Sequence, residues 1–297
     1  MTREFLLFFT KLLVLFSWGW VSLHGNNKVA TLHPMITHFV EKIGGDNLEI
    51  ISLGYPGMAI HKFEPSPKNI SKLEKCQLIL AMGMGLEPYL GDLKASLQQA
   101  NKIISISDGI PSLHFHNGHV CNSCGGGKNP KDPHWWHNVR YTQQVVKNIE
   151  RSLVKTFPSH QKTFQSKSKE YRKSLEKLHY WVQNELKKIP PEKRTLVTAH
   201  AAFSYLCLEY KMEPMFLQGI SPEGEISSRK LAENIRKITE KKIPTLFPEV
   251  GNNLKILSVM AKETHSKLGT PLYAEGTMVD YEKMIRHNIN AITEGLQ

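Results

Sequence analysis

Short apolar runs alternate with amphipathic stretches along most of the chain. Lys28 to Leu32 reads as a strand, and Met35, Ile36, Phe39, Val40 and Ile43 then recur at helical spacing until Gly44-Gly45 stops them. Leu48 to Leu53 predicts a second strand, running into the turn Gly54-Tyr55-Pro56-Gly57. A helix over about Pro67 to Glu74 leads into the apolar strand Leu78 to Met82, and Ile103 to Ile106 predicts another strand. The second half repeats the theme. Strands at Thr195 to Ala199, Pro214 to Leu217, Thr245 to Pro248 and Pro271 to Tyr273 alternate with helices at Phe203 to Tyr210, Arg229 to Glu240, Leu254 to Thr264 and Tyr281 to Ile292. Such alternation predicts an α/β protein whose sheets are mainly parallel and flanked by helices.

Two helices separate the halves. Val145, Ile149 and Leu153 share one face over Tyr141 to Thr156, which ends at Pro158. From Gln161 to Lys188 the apolar residues Phe164, Tyr171, Leu175, Leu178, Val182, Leu186 and Ile189 step by seven, four, three, four, four and three. That stripe marks one continuous helix with a lysine- and glutamate-rich outer face. A helix of this length is a stiff connector, unlike a glycine-serine linker. The expected organisation is therefore two α/β lobes, 26–158 and 191–297, joined by a rigid connecting helix over 159–190. The length of 297 residues fits two lobes better than one core.

The formal charge is +11, yet the lysines are spread along helical segments among glutamates and form no block with interleaved aromatics. This reads as a solvated basic surface and argues against a nucleic-acid partner. Residues 1–25 carry Arg3, a mostly apolar run from Phe5 to Leu23 and the polar Gly25-Asn26-Asn27, the layout of a secretory signal peptide, with an uncleaved N-terminal anchor as the alternative. The rest of the chain is then expected to be soluble and exported. Four cysteines allow three pairings. Cys121 and Cys124 are close enough to close a small loop or share a metal, whereas Cys76 and Cys207 sit in apolar surroundings and read as buried thiols.

Candidate chemistry concentrates between His114 and His137. The first part carries His114, His116, His119, Cys121, Cys124 and a Gly-Gly-Gly run, and over 114–131 it reads as a mobile loop suited to collecting metal at low affinity. Its end, Asp132-Pro133-His134-Trp135-Trp136-His137, is fixed by proline and anchored by tryptophans. Histidine and cysteine gathered this densely point to metal handling. His61, His200 and Glu275 each follow a predicted strand or lie in the loop it feeds, the side of an open α/β sheet where ligands gather.

The same residues carry a resemblance. Val29-Ala30-Thr31, His61-Lys62-Phe63-Glu64-Pro65-Ser66-Pro67, Met84-Gly85-Leu86-Glu87-Pro88-Tyr89, Asp132-Pro133-His134-Trp135-Trp136, Val197-Thr198-Ala199-His200-Ala201-Ala202-Phe203-Ser204-Tyr205, Leu272-Tyr273-Ala274-Glu275 and Met284-Ile285-Arg286-His287-Asn288 look like the metal-binding solute receptors of zinc and manganese ABC importers. The match runs from about Lys28 to Ile292. The resemblance implies a single metal between two lobes, held by His61, His134, His200 and Glu275. It implies a monomeric, periplasmic, non-catalytic receptor partnered by an ABC permease and its ATPase. Three imidazoles and a carboxylate suit tetrahedral zinc. Manganese members usually place a carboxylate at the position of His200, so zinc is favoured, with Mn2+ and Fe2+ as alternatives.

The chain departs from the family at two places. Glu275 stands where aspartate is usual, which leaves Asp280 as an alternative ligand after a register slip. Trp136-His137-Asn138 stands where an apolar residue and an acid commonly precede a proline, so His137 reads as a spare ligand or a packing residue. Glu249 reads either as an acceptor orienting a ligand imidazole or as a strand-end residue. His33 and His38 read as helix-start and helix-face residues, and Met82 and Met84 as core filler. The rival functions are a secreted zinc-dependent hydrolase with Glu249 as its base, and a metal-binding adhesin or buffer that works without a permease. No His-Glu-x-x-His motif supports the hydrolase.

Overall fold

In the computed structural model, which describes residues 27–55, 57–58, 60–116, 119–121, 130–220, 227–276, 278 and 280–297, the first lobe is built on four parallel strands. These are β1 (Lys28–Thr31), β2 (Glu49–Ser52), β3 (Leu78–Ala81) and β4 (Ile103–Ser105), in the order β2-β1-β3-β4. Val29 lies opposite both Ile50 and Leu78, so β1 is the strand from which the chain departs to either side. β3 is buried throughout, as a strand covered on both faces must be, and edge strand β2 is only half covered. Helices α1 (Pro34–Gly44), α2 (Pro67–Glu74) and α3 (Leu90–Ser96) connect them. The first two begin at proline after a capping side chain: His33 accepts from Met35 N–H at 3.0 Å and Ser66 from Asn69 N–H at 3.3 Å.

The segment expected to be a mobile loop opens instead as a ribbon. β5 (His114–His116) and β6 (His119–Cys121) pair antiparallel, with His114 opposite Cys121. The polarity and glycine content that suggested a loop obscured a two-residue alternation, His-Phe-His and His-Val-Cys, long enough for a short hairpin. Residues 117–118 and 122–129 lie outside the described residues, and so do the side chains of 115–121. The expected leader at 1–25 and any pairing of Cys121 with Cys124 are likewise outside them.

α4 (Val139–Thr156) and α5 (Gln161–Lys187) follow. α5 has 27 residues, about 40 Å of helix. It buries Phe164, Tyr171, Leu175, Leu178, Val182 and Leu186, the stripe read from the sequence. The second lobe has the parallel pair β7 (Thr195–Thr198) and β8 (Glu213–Phe216), then β9 (Thr245–Leu246) paired with β10 (Lys267–Leu268). Single parallel bridges, Thr198 to Phe247 and Glu249 to Leu272, continue the sheet. The strand expected over Pro271 to Tyr273 is reduced to that last bridge, since Pro271 has no N–H to donate. Helices α6 (Ser204–Tyr210), α7 (Ser228–Glu240), α8 (Lys255–Thr264) and α9 (Tyr281–Leu296) cover the strands.

α5 packs against α1, α4 and α9, so it touches both lobes. One apolar cluster runs from Val29 and Phe39 through Leu175 and Leu178 to Phe203 and Ile289. The architecture is thus α/β, two lobes joined along one long helix, and it presents the loops at the carboxyl ends of the strands to one another.

Candidate metal centre

Four loops deliver four side chains. His61 sits in the 3-10 turn Ile60–Lys62 that follows β2, with Ile60 buried beneath it. His134 precedes the 3-10 turn Trp135–His137, whose two tryptophans are wholly buried and fix the loop. His200 lies two residues past β7, where Thr198 donates its hydroxyl to the His200 carbonyl at 2.8 Å. Glu275 follows the Leu272 bridge, and the Asn288 side chain of α9 accepts from Tyr273 N–H at 2.8 Å and donates to Tyr273 O at 2.9 Å. At the next residue, Gly276 has φ +62°, and a β-carbon there would lie 2.3 Å from Met35 Cε and 3.3 Å from His33 Cε1. Its backbone angle favours glycine at that point, whereas the methionine tip could shift to admit a side chain.

The four side chains converge. One ligand atom from each of His61, His134, His200 and Glu275 lies within 4.8 Å of the others. Glu275 Oε1 is 2.9 Å from His200 Nε2 and 3.8 Å from His134 Nε2, and Oε2 is 3.3 Å from His61 Nε2. The three Nε2 atoms and both carboxylate oxygens are buried and have no hydrogen bond of ordinary geometry. Buried polar atoms are nearly always partnered, and these five face one another at 2.9–3.8 Å, a grouping that could hold a single cation.

Two carboxylates behind the imidazoles set their tautomers. Asp132 Oδ1 accepts from His134 Nδ1 at 2.8 Å and from His134 N–H at 2.9 Å. Glu249 Oε2 accepts from His200 Nδ1 at 2.5 Å, while its Oε1 accepts from His200 N–H at 3.0 Å. A carboxylate can only accept, so Nδ1 carries the proton in each ring and Nε2 offers its lone pair. Burial lowers the His134 pKa, but Asp132 and then Glu275 outweigh it and leave it raised. Burial likewise opposes a charge on His200, yet the neighbouring Glu249, reinforced by Glu275, lifts it to about 10. The three imidazoles facing Glu275 overcome its burial and hold its carboxyl well below the usual range. The surrounding carboxylates thus favour a proton on His134 and His200, and a cation bound through their Nε2 atoms would compete with it.

The alternatives left open by the sequence resolve from these contacts. Asp280 caps α9, accepting from Lys283 N–H at 3.0 Å, and Glu275 occupies the cluster. His137 is outside the four: its Nε2 is 2.8 Å from Ala274 O and its ring packs on Phe203. Glu249 accepts from His200 at both oxygens and from Asn252 at 2.6 Å, so its carboxylate holds the His200 ring and backbone in place. His33 caps α1 and His38 is buried on its face. Met82 is core and Met84 packs against it. Cys76 and Cys207 are buried free thiols. Asp132 was the functional residue that sequence reasoning passed over. Its signal was present, an aspartate two residues before a ligand histidine, but Asp-Pro also reads as an ordinary turn.

The sequence matches the family described as "Zinc-uptake complex component A periplasmic" over residues 29–295. Among its relatives, the manganese-binding lipoprotein MntA of Bacillus subtilis is 30% identical over 284 residues, covering 91% of this chain and 90% of that one. The iron-binding protein YfeA of Yersinia pestis is 28% identical over 274 residues, covering 90% and 86%. Among solved structures, the periplasmic zinc-binding protein TroA of Treponema pallidum superimposes with a TM-score of 0.81 at 27% identity, covering 92% of this chain and 99% of that one. With residues 29–295 matched and 92% of the chain superimposing on a solved relative, this chain belongs to the family of periplasmic zinc-uptake components.

Proposed function

We propose that this chain is an extracytoplasmic receptor that captures one divalent transition-metal ion between its lobes and delivers it to an ABC-type permease and its ATPase. His61, His134, His200 and Glu275 hold the ion. One observation supports this reading: buried ligand atoms from four loops converge within the reach of a single cation. The family is one of binding components of uptake systems rather than enzymes. The donor set agrees with that role, since four protein ligands close the shell that a zinc enzyme leaves open for water.

Zinc is the favoured cargo. Three neutral nitrogens with one carboxylate match tetrahedral zinc, and the Asp132 and Glu249 hydrogen bonds increase the basicity of two of those nitrogens. Manganese and ferrous iron prefer more oxygen. The relatives include proteins named for manganese, iron and zinc, so donor chemistry rather than kinship supports the choice. Competitive titration of the full chain with zinc and manganese tests it. One tight site per chain with zinc preferred is the expected result, shifted towards manganese by His200→Glu. Preference of the wild type for manganese would overturn the zinc assignment, and retention of tight binding by His200→Ala would overturn the site.

A further inference from the structure

His137 closes the run Asp132-Pro133-His134-Trp135-Trp136-His137, three residues past His134. It is fully buried, and it is the last residue of the 3-10 turn that begins directly after His134. Its Nε2 lies 2.8 Å from the carbonyl of Ala274, the residue before Glu275. A carbonyl only accepts, so the proton resides on Nε2. Nδ1 is then a buried lone pair with no partner, a cost that an apolar side chain would avoid. The ring also stacks on Phe203, three residues past His200, with centroids 4.3 Å apart and planes inclined by 35°. The same Ala274 carbonyl accepts from Trp136 Nε1 at 3.1 Å, filling its second lone pair. One side chain therefore touches the segments that carry three of the four clustered residues.

We propose that His137 is a positioning residue for the metal, its Nε2–H fixing the Glu275 segment against the His134 turn. This rests on the reading that those residues hold the ion. Fixing Ala274 fixes the direction in which the next residue, Glu275, projects, so the bond sets how far the carboxylate reaches towards the imidazoles. Glutamate has one more rotatable bond than aspartate, and a segment held at its backbone restores the order that the longer side chain loses.

The test compares His137→Leu, which keeps an apolar body and deletes the donor, with His137→Gln, whose Nε2 can still reach the carbonyl. The zinc-loaded full chain is mixed with excess chelator and release is followed by stopped flow, and the cobalt-loaded form is read by its visible spectrum. His137→Leu is expected to release zinc about tenfold faster, in the range found for groups that orient metal ligands. Its cobalt bands should change in intensity, and His137→Gln should restore both readouts to near wild type. A wild-type release rate in His137→Leu, or a loss that glutamine does not rescue, overturns the proposal. Should His137→Leu fail to fold, His137→Gln alone decides, because an altered release rate in it contradicts the role of the donor. His200→Ala separates the two readings. If it binds zinc as the wild type does, the ligand assignment has failed; if it loses zinc while His137→Leu releases at the wild-type rate, only the positioning role has failed.

Discussion

Asp132 and Glu249 stand behind two of the proposed ligands, His134 and His200. Each holds the ring and the backbone N–H of one histidine together, so removing its charge frees the ring to rotate and weakens the lone pair offered to metal. Asp132→Asn and Glu249→Gln are each expected to reduce zinc affinity about 10- to 100-fold in competitive titration while leaving one site per chain. Glu87 offers a second test, away from the metal. It is buried, and its oxygens accept from Met82 N–H at 2.7 Å and Gly83 N–H at 3.1 Å. Burial raises its carboxyl to about 7, partly offset by those two donors. The folded value lies above the unfolded one, so the stability linked to this proton is complete below pH 4.5 and is lost as pH rises through 7. Relative to Glu87→Gln, the wild type should gain stability from pH 7.5 to 5, by at most about 1.4 kcal/mol per unit, read from urea midpoints of metal-free protein. A pH-independent difference would show that Glu87 stays ionised. The sequence made the histidines legible because strand ends and motif spacing marked them. It left Asp132 obscure because Asp-Pro also reads as an ordinary turn, and the choice for Glu249 because a hydrogen bond spanning 49 residues has no local signature.

At the scale of elements, length decided what could be read. α5 is predicted over Gln161 to Lys188 and spans Gln161–Lys187, because six apolar residues on one buried face leave little freedom in period or extent. α3, β10 and the β5–β6 hairpin were not anticipated. The helix has seven residues and the strands two or three each, too few for a period to stand out. α5 also carries the energetic argument. Leu178 is completely buried in the cluster shared by both lobes. Leu178→Ala should cost about 2–5 kcal/mol by equilibrium denaturation, the loss of a packed leucine plus its cavity. Substituting the exposed Lys173 on the same helix should change stability by less than about 0.5 kcal/mol. Equal effects at the two positions would mean that the stripe does not bear the packing.

The whole molecule couples that core to the cluster. Apolar packing is continuous from the first lobe along α5 to the second, and Tyr205 of α6 accepts from Leu113 N–H at 3.0 Å and donates to Pro111 O at 3.1 Å across the lobes. Lobes joined so extensively should not melt separately, since exposing one strips the partner surface from the other. A metal held by residues from both halves binds only the assembled state, so it stabilises by mass action on the whole chain. At free metal about 100-fold above Kd the gain is about 2.7 kcal/mol, which for a protein of this size raises Tm by about 5 °C or more. Calorimetry should therefore show one transition without metal and one with it, displaced upward together. In His200→Ala the displacement should vanish while the single transition remains. Two resolved transitions, only one of them moved by metal, would show that the lobes fold as separate units and that α5 is a tether rather than part of a common core.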